Sequence, residues 1–142
     1  MKKIDTKVLD FLDEHHLMTL ATVRDNVPHT SNMFYAFDAE TGSFIFTSKY
    51  DTKHVGDVKL YNVVACNVAL ETKNVSKVQG LQITGRMMQV DGERLKKNKK
   101  LYLKKFPFAV FVDLDLWVVE MDGYKFTDNT LGFGKKLLWT RE

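Results

Sequence analysis

Three runs that read as strands, LMTLATVR (17–24), PHTSNMFYAF (28–37) and SFIFTS (43–48), follow one another with only a few residues between them. Connections that short can reverse a strand but cannot carry a helix across a sheet, so they dictate an antiparallel meander. Asp25-Asn26 can take the special dihedrals of a tight hairpin turn. The second reversal, DAETG, ends on Gly42. Two further strand-like runs follow, VVACNVALE (63–71) and VQGLQITGRMMQV (78–90), and FAVFVDLDLWVVEMDGYKF (108–126) supplies one or two more. Gly80 and Gly85 in the second of these mark bends or the close approach of another backbone.

Helical spacing appears in three short places. Ile4, Val8, Phe11 and Leu12 make residues 3–15 an amphipathic opening helix. Residues 52–61 place Val55, Val58 and Tyr61 on one face. Asp91 can cap a third helix running to about Lys105, where Phe106-Pro107 disfavours its continuation. Six or seven strands with about three helices, and no βαβα alternation, exclude a parallel sheet. The expected fold is mainly β: a closed or partly closed antiparallel barrel of six or seven strands with peripheral helices. A length of 142 residues suits one domain over 1–142.

Composition narrows the function. A net charge of +3 gives weak attraction to anions and no argument by itself for nucleic acid. With Cys66 alone there is no internal disulfide and no spaced zinc cluster. No run approaches the ~18 apolar residues of a membrane span, and Asp5 interrupts any signal-peptide core, so the expected location is the cytoplasm. Serines 31, 43, 48 and 76 lack a nucleophile elbow, which speaks against a hydrolase. His15, His16, His29 and His54 have no spacing that demands a metal.

The stretch TSKYDTK (47–53) carries the sharpest question. A helix that starts here presents unpartnered N–H groups and positive dipole to an anion. Thr47, Ser48 and Thr52 add hydroxyls, while Lys53 and Lys49 add charge. The competing reading makes Asp51 the N-cap, which satisfies the same donors and repels anions.

The ordered set TLATV, VPHTSNMFYAFDAETGSFIFTSKYDTKHVGDVKLYNVVACNVAL and VQGLQITGRMMQV resembles the pyridoxamine 5′-phosphate oxidase-like proteins, which are FMN-binding split barrels. The resemblance implies flavin contacts from the backbone of Thr30, Ser31, Asn32 and Met33. It places Phe46, Thr47 and Ser48 beside the flavin chain. The family's basic pair on the phosphate falls on Thr52 and Lys53, so one basic residue is kept and its neighbour is a threonine. A family glutamine at the ring falls on Gly80, with Gln82 on the same strand face as its substitute. An antiparallel, six- to seven-stranded split β-barrel of Greek-key type, with FMN at the interface of a homodimer and a small-molecule substrate, is the implied arrangement. The tail LGFGKKLLWTRE lacks the arginine- and histidine-containing segment of the true oxidase, so pyridoxine 5′-phosphate oxidation is not expected.

The function expected on these grounds is a flavin-dependent oxidoreductase. The alternative is a non-enzymatic flavin- or haem-binding sensor or carrier, with His29 the haem candidate. Lysines 96, 97, 99, 100, 104 and 105 offer a weaker nucleic-acid reading. Against it, the helix dipole favours lysines at that end, and only Tyr102 interleaves to stack on bases. The tail around Gly132, Phe133 and Gly134 either docks on the barrel, burying Phe133 and Trp139, or adds Lys135, Lys136 and Trp139 to the site.

Overall fold

In the computed structural model, which describes all 142 residues, helix α1 (Thr6–Glu14) leads into strands β1 (Leu17–Arg24), β2 (Val27–Phe34), β3 (Ala36–Asp38) and β4 (Ser43–Thr47). Helix α2 (Lys53–Leu60), strands β5 (Val63–Ala69) and β6 (Gln79–Gln89) and helix α3 (Gly92–Lys105) follow, then β7 (Leu116–Asp128) and β8 (Lys136–Thr140). All pairings are antiparallel. The strand order is β2-β1-β5-β6-β7-β4-β3, with β8 also on β7. The eighth strand, β8, comes from the tail and lies beyond the six or seven expected.

Closure follows from one residue. Strands β2 and β3 are the two ends of that order, yet only Tyr35 separates them along the chain. The sheet must therefore curl until its edges meet, and the long strand expected over 28–37 breaks at that point. Tyr35 is fully buried, its N–H donates to the His16 carbonyl at 3.0 Å and its hydroxyl to the Leu12 carbonyl at 2.9 Å. The break is thus fixed to the C-terminus of α1. At the opposite hairpin, Asp25 and Asn26 both take positive φ, 51° and 63°, as the tight turn requires.

Burial follows the position of each strand. Along β5, Val64, Cys66 and Val68 point inward while Val63, Ala65, Asn67 and Ala69 stay exposed. Strand β4 is buried on both faces, with Phe44 and Phe46 in the barrel and Ile45 under α3 beside Tyr102 and Phe106. Each such fully buried aromatic or branched side chain contributes about 1.5–3 kcal/mol. Asp91 precedes α3 as expected, but its side chain makes no capping bond. Residues 108–111, the start of a run expected as strand, instead lie in a 3-10 turn over 107–111 opened by Pro107, which has no N–H to give a ladder. Burial pushes the Cys66 thiol up to about 12, leaving it an inert core side chain.

Gly85 explains the irregularity between β6 and β7, where the register shifts between Thr84 and Gly85. A Cβ there would sit 2.4 Å from the Glu120 carbonyl oxygen. Gly85→Ala is expected to destabilise by about 1–3 kcal/mol, read as a lower denaturant midpoint at unchanged slope. Gly80 makes no such approach, its nearest atom lying at 3.9 Å.

A groove at the start of helix α2

The end of β4 is held from both sides. The Ser48 N–H donates to the Asp115 carbonyl at 3.1 Å, and the Trp117 indole donates to the Ser48 carbonyl at 3.1 Å. Tyr50 lies edge-on to Trp117, with centroids 5.9 Å apart. The chain then turns on Thr52, whose hydroxyl donates to the Lys49 carbonyl at 2.8 Å and accepts the Val55 N–H at 3.4 Å. Thr52, not Asp51, is therefore the N-cap of α2. Asp51 stands exposed beside it. The first two amides of the helix, Lys53 and His54, have no intrahelical acceptor.

A groove of about 940 Å³ opens at this helix start. Asn32 and Met33 from β2 line it together with Thr47, Ser48, Thr52 and His54. Val112, Asp113 and Asp115 also line it. Its volume is at the upper end of the range of cofactor-sized sites. Five residues singled out from sequence thus converge on one cavity, although they come from β2, the end of β4 and the start of α2.

The other five lie elsewhere. Thr30 is exposed on β2 opposite Ala21, and the neighbouring Ser31 hydroxyl is shielded from water without a hydrogen-bond partner. Phe46 is wholly inside the barrel opposite Trp117. Gln82 is exposed on the outer face of β6, between Asn67 and Lys125, and lines a separate cavity with Ala65 and Thr84. Lys53 reaches forward along α2, one turn on, to both carboxylate oxygens of Asp57 at 2.9 and 3.0 Å. Asp57 is completely buried and also accepts from the Thr22 hydroxyl at 2.8 Å. The Lys53 hydrogen bond first, and Thr22 with it, hold its carboxyl below the usual carboxylate range against the opposing effect of burial.

His54 was missed, as were Val112, Asp113 and Asp115. His54 Nε2 lies 2.6 Å from Ser48 Oγ and 3.4 Å from Thr52 Oγ1. A helical side chain leans back toward its own N-terminus, so a histidine at the second helical position could have been placed against the incoming strand. Burial first, then the charge of His29, lowers its pKa, while Asp57 acts in the opposite sense.

Residues 4–123 match the sequence pattern of the pyridoxamine 5′-phosphate oxidase family. The chain belongs to that family. It is 33% identical over 136 residues to the UPF0306 protein YhbP of Escherichia fergusonii, spanning 96% of this chain and 92% of that one. Its fold is similar to that of a heme binding protein from Mycobacterium smegmatis, with a TM-score of 0.76 at 14% identity over 96% of this chain. The match spans only 59% of that longer protein. An FAD-binding protein from Mesorhizobium loti gives a TM-score of 0.68 at 11% identity, over 85% of this chain and 91% of the other. Membership establishes the split barrel; no helix of the chain is long and apolar enough to cross a membrane.

Outside the groove, the lysines of α3 are partly neutralised. Lys96 pairs with Glu93 at 3.0 Å, and Lys97 lies against Glu40 and, at 3.4 Å, Asp38. The tail divides as well: Trp139 is buried on Tyr124, whereas Phe133 is 86% exposed.

Proposed function

We propose that the chain binds FMN in this groove and acts as a small oxidoreductase on a small-molecule substrate. The observation that supports it best is the convergence of Asn32, Met33, Thr47, Ser48 and Thr52 on one cofactor-sized cavity. The donor set suits a phosphate: two hydroxyls, an imidazole and the two unpartnered amides at the start of α2. Lys53 adds its charge from the side, tempered by Asp57. Asp51, Asp113 and Asp115 in the lining oppose an anion, so the expected affinity is modest. Asn32 and Met33 would then lie towards the ring. A bound flavin supplies the electron and hydride transfer, and the chain holds and orients it.

The homodimer belongs to the same proposal. Strand β5 is central in the sheet, yet its outer face of Val63, Ala65, Asn67 and Ala69 is uncovered. Gln82 shares that face, so a contact from Gln82 to flavin would come from the second copy. Haem is the second reading, without turnover, as a sensor or carrier. It is favoured by His29 and His54 lying close enough for one charge to disfavour the other.

Titration of purified protein with FMN, riboflavin and haemin separates these readings. FMN is expected to bind more tightly than riboflavin. Ser48→Ala should weaken FMN about tenfold and riboflavin less than about twofold, the loss of one charge-assisted hydrogen bond. Equal affinity for the two flavins would remove the phosphate from this groove. A Soret band with haemin and no flavin binding would favour the carrier.

A further inference from the structure

The Ser48–His54 contact goes beyond holding a turn. Thr52 has committed its hydroxyl proton to the Lys49 carbonyl, so at His54 it can only accept. The 2.6 Å contact between His54 Nε2 and Ser48 Oγ can be made either way: Ser48 donates to a bare Nε2 and accepts from Nε2–H. Ser48 is nine-tenths buried, and its only side-chain contact is that nitrogen. Once Nε2–H points at it, the Ser48 hydroxyl proton has no acceptor in the protein, and Ser48 lines the groove. A buried hydroxyl released in that way has its proton free for a ligand oxygen in the groove.

We propose that His54 is the specificity-determining residue of the groove. It takes up a proton when a dianionic ligand oxygen arrives, and in that state it fixes the Ser48 hydroxyl as a donor to that oxygen. This rests on the phosphate reading above and adds to it a requirement for charge. A neutral imidazole can exchange tautomers and draw the Ser48 proton back to itself. The imidazolium cannot, because both ring nitrogens are donors.

The charged groups around the imidazole set the range of pH. His29 approaches from β2, and the Lys53–Asp57 pair lies on α2. Lys49 and Asp51 flank it in the turn, and Asp113 and Asp115 line the same groove. Without ligand, burial and His29 hold the imidazole below its ordinary value, so it is neutral near pH 7. A dianion beside it favours the charged form and raises that value. Affinity for a dianion therefore rises as pH falls from the bound-state pKa towards the free-state pKa, and levels off below it.

Sulfate is the clean probe, because it has no proton to lose or gain near neutrality. Imidazole resonances of His15, His16, His29 and His54 are followed against pH in sulfate and in chloride at equal ionic strength. Sulfate is expected to raise the His54 midpoint by about one unit, equivalent to about tenfold tighter binding by the charged form. His15 and His16 should be unmoved, and Ser48→Ala should remove most of the His54 shift. An unmoved His54, or four histidines shifting alike as for an adventitious ion only, overturns the proposal. FMN titrations of the wild type and His54→Gln at pH 6 and pH 8 distinguish the two readings. A sulfate-dependent His54 shift without FMN binding keeps this inference and sinks the flavin. FMN that binds equally at both pH values, with His54 unmoved, does the reverse.

Discussion

Trp139→Ala is expected to lower the free energy of unfolding by about 3–5 kcal/mol, the range for truncating a large aromatic in a packed site. The indole is only 8% exposed and stacks on Tyr124, with centroids 5.3 Å apart and planes 10° from parallel. Its N–H donates to the Lys2 carbonyl at 3.2 Å. One side chain therefore joins β8 to β7 and to the N-terminal segment ahead of α1. Phe133, in the same tail, touches little, and Phe133→Ala should stay within about 0.5 kcal/mol of wild type. Denaturant unfolding of the two variants checks the contrast. Truncation after Asp128 removes β8 with Trp139 and uncovers Tyr124, so the shortened chain is expected to lose cooperative folding. A truncated chain with an unchanged midpoint would refute the structural role of the tail. A folded one that fails only to bind flavin would give the tail to the site.

The barrel was legible because its information is local. Period-two burial in β5 and β6, the Asp25-Asn26 turn and the helix boundaries at Thr52 and Lys105 all follow from residue type and spacing. What the sequence could not reveal depends on distant partners. The break at Tyr35 exists because the two sheet edges must meet, and residue type at position 35 says nothing of that. β8 depends on a register with β7, Tyr124 opposite Trp139, which no short-range pattern encodes. The site divides in the same way. Thr47, Ser48 and Thr52 were legible as a local cluster at a strand-to-helix junction. The Lys53–Asp57 pair lies at helical spacing, but only the buried Thr22 on β1 reveals why that carboxylate is there. Asp113 and Asp115 line the groove from the irregular segment between the 3-10 turn at 107–111 and β7, where strand was expected.

Lys53→Ala should have two separable effects, because the same ammonium serves a buried carboxylate and, in the proposed function, a phosphate. Asp57 is completely buried while the Lys53 side chain is 51% exposed. Breaking a buried pair by removing one partner commonly costs about 3–5 kcal/mol. Solvent around Lys53 screens its half of the interaction, so about 2–3 kcal/mol is expected here. The double variant with Asp57→Ala should be less damaged than the sum of the singles by at least about 1 kcal/mol. The pH dependence carries the same signature. A carboxyl depressed in the folded state contributes stability above its unfolded pKa and loses it as pH falls through the folded pKa. Lys53 is the main cause of that depression, so in Lys53→Ala burial pushes the carboxyl upward and the acid loss begins at higher pH. The gap between wild type and variant should therefore narrow in acid, where Asp57 is neutral in both. Flavin titrations above the acid range then read the second role. Two of the three ammonium protons go to Asp57 and one is left for a ligand. If that proton meets the phosphate, FMN weakens by about tenfold or more while riboflavin barely changes. Equal losses for both flavins would assign Lys53 to Asp57 alone and leave the phosphate to Ser48, His54 and the amides at the start of α2.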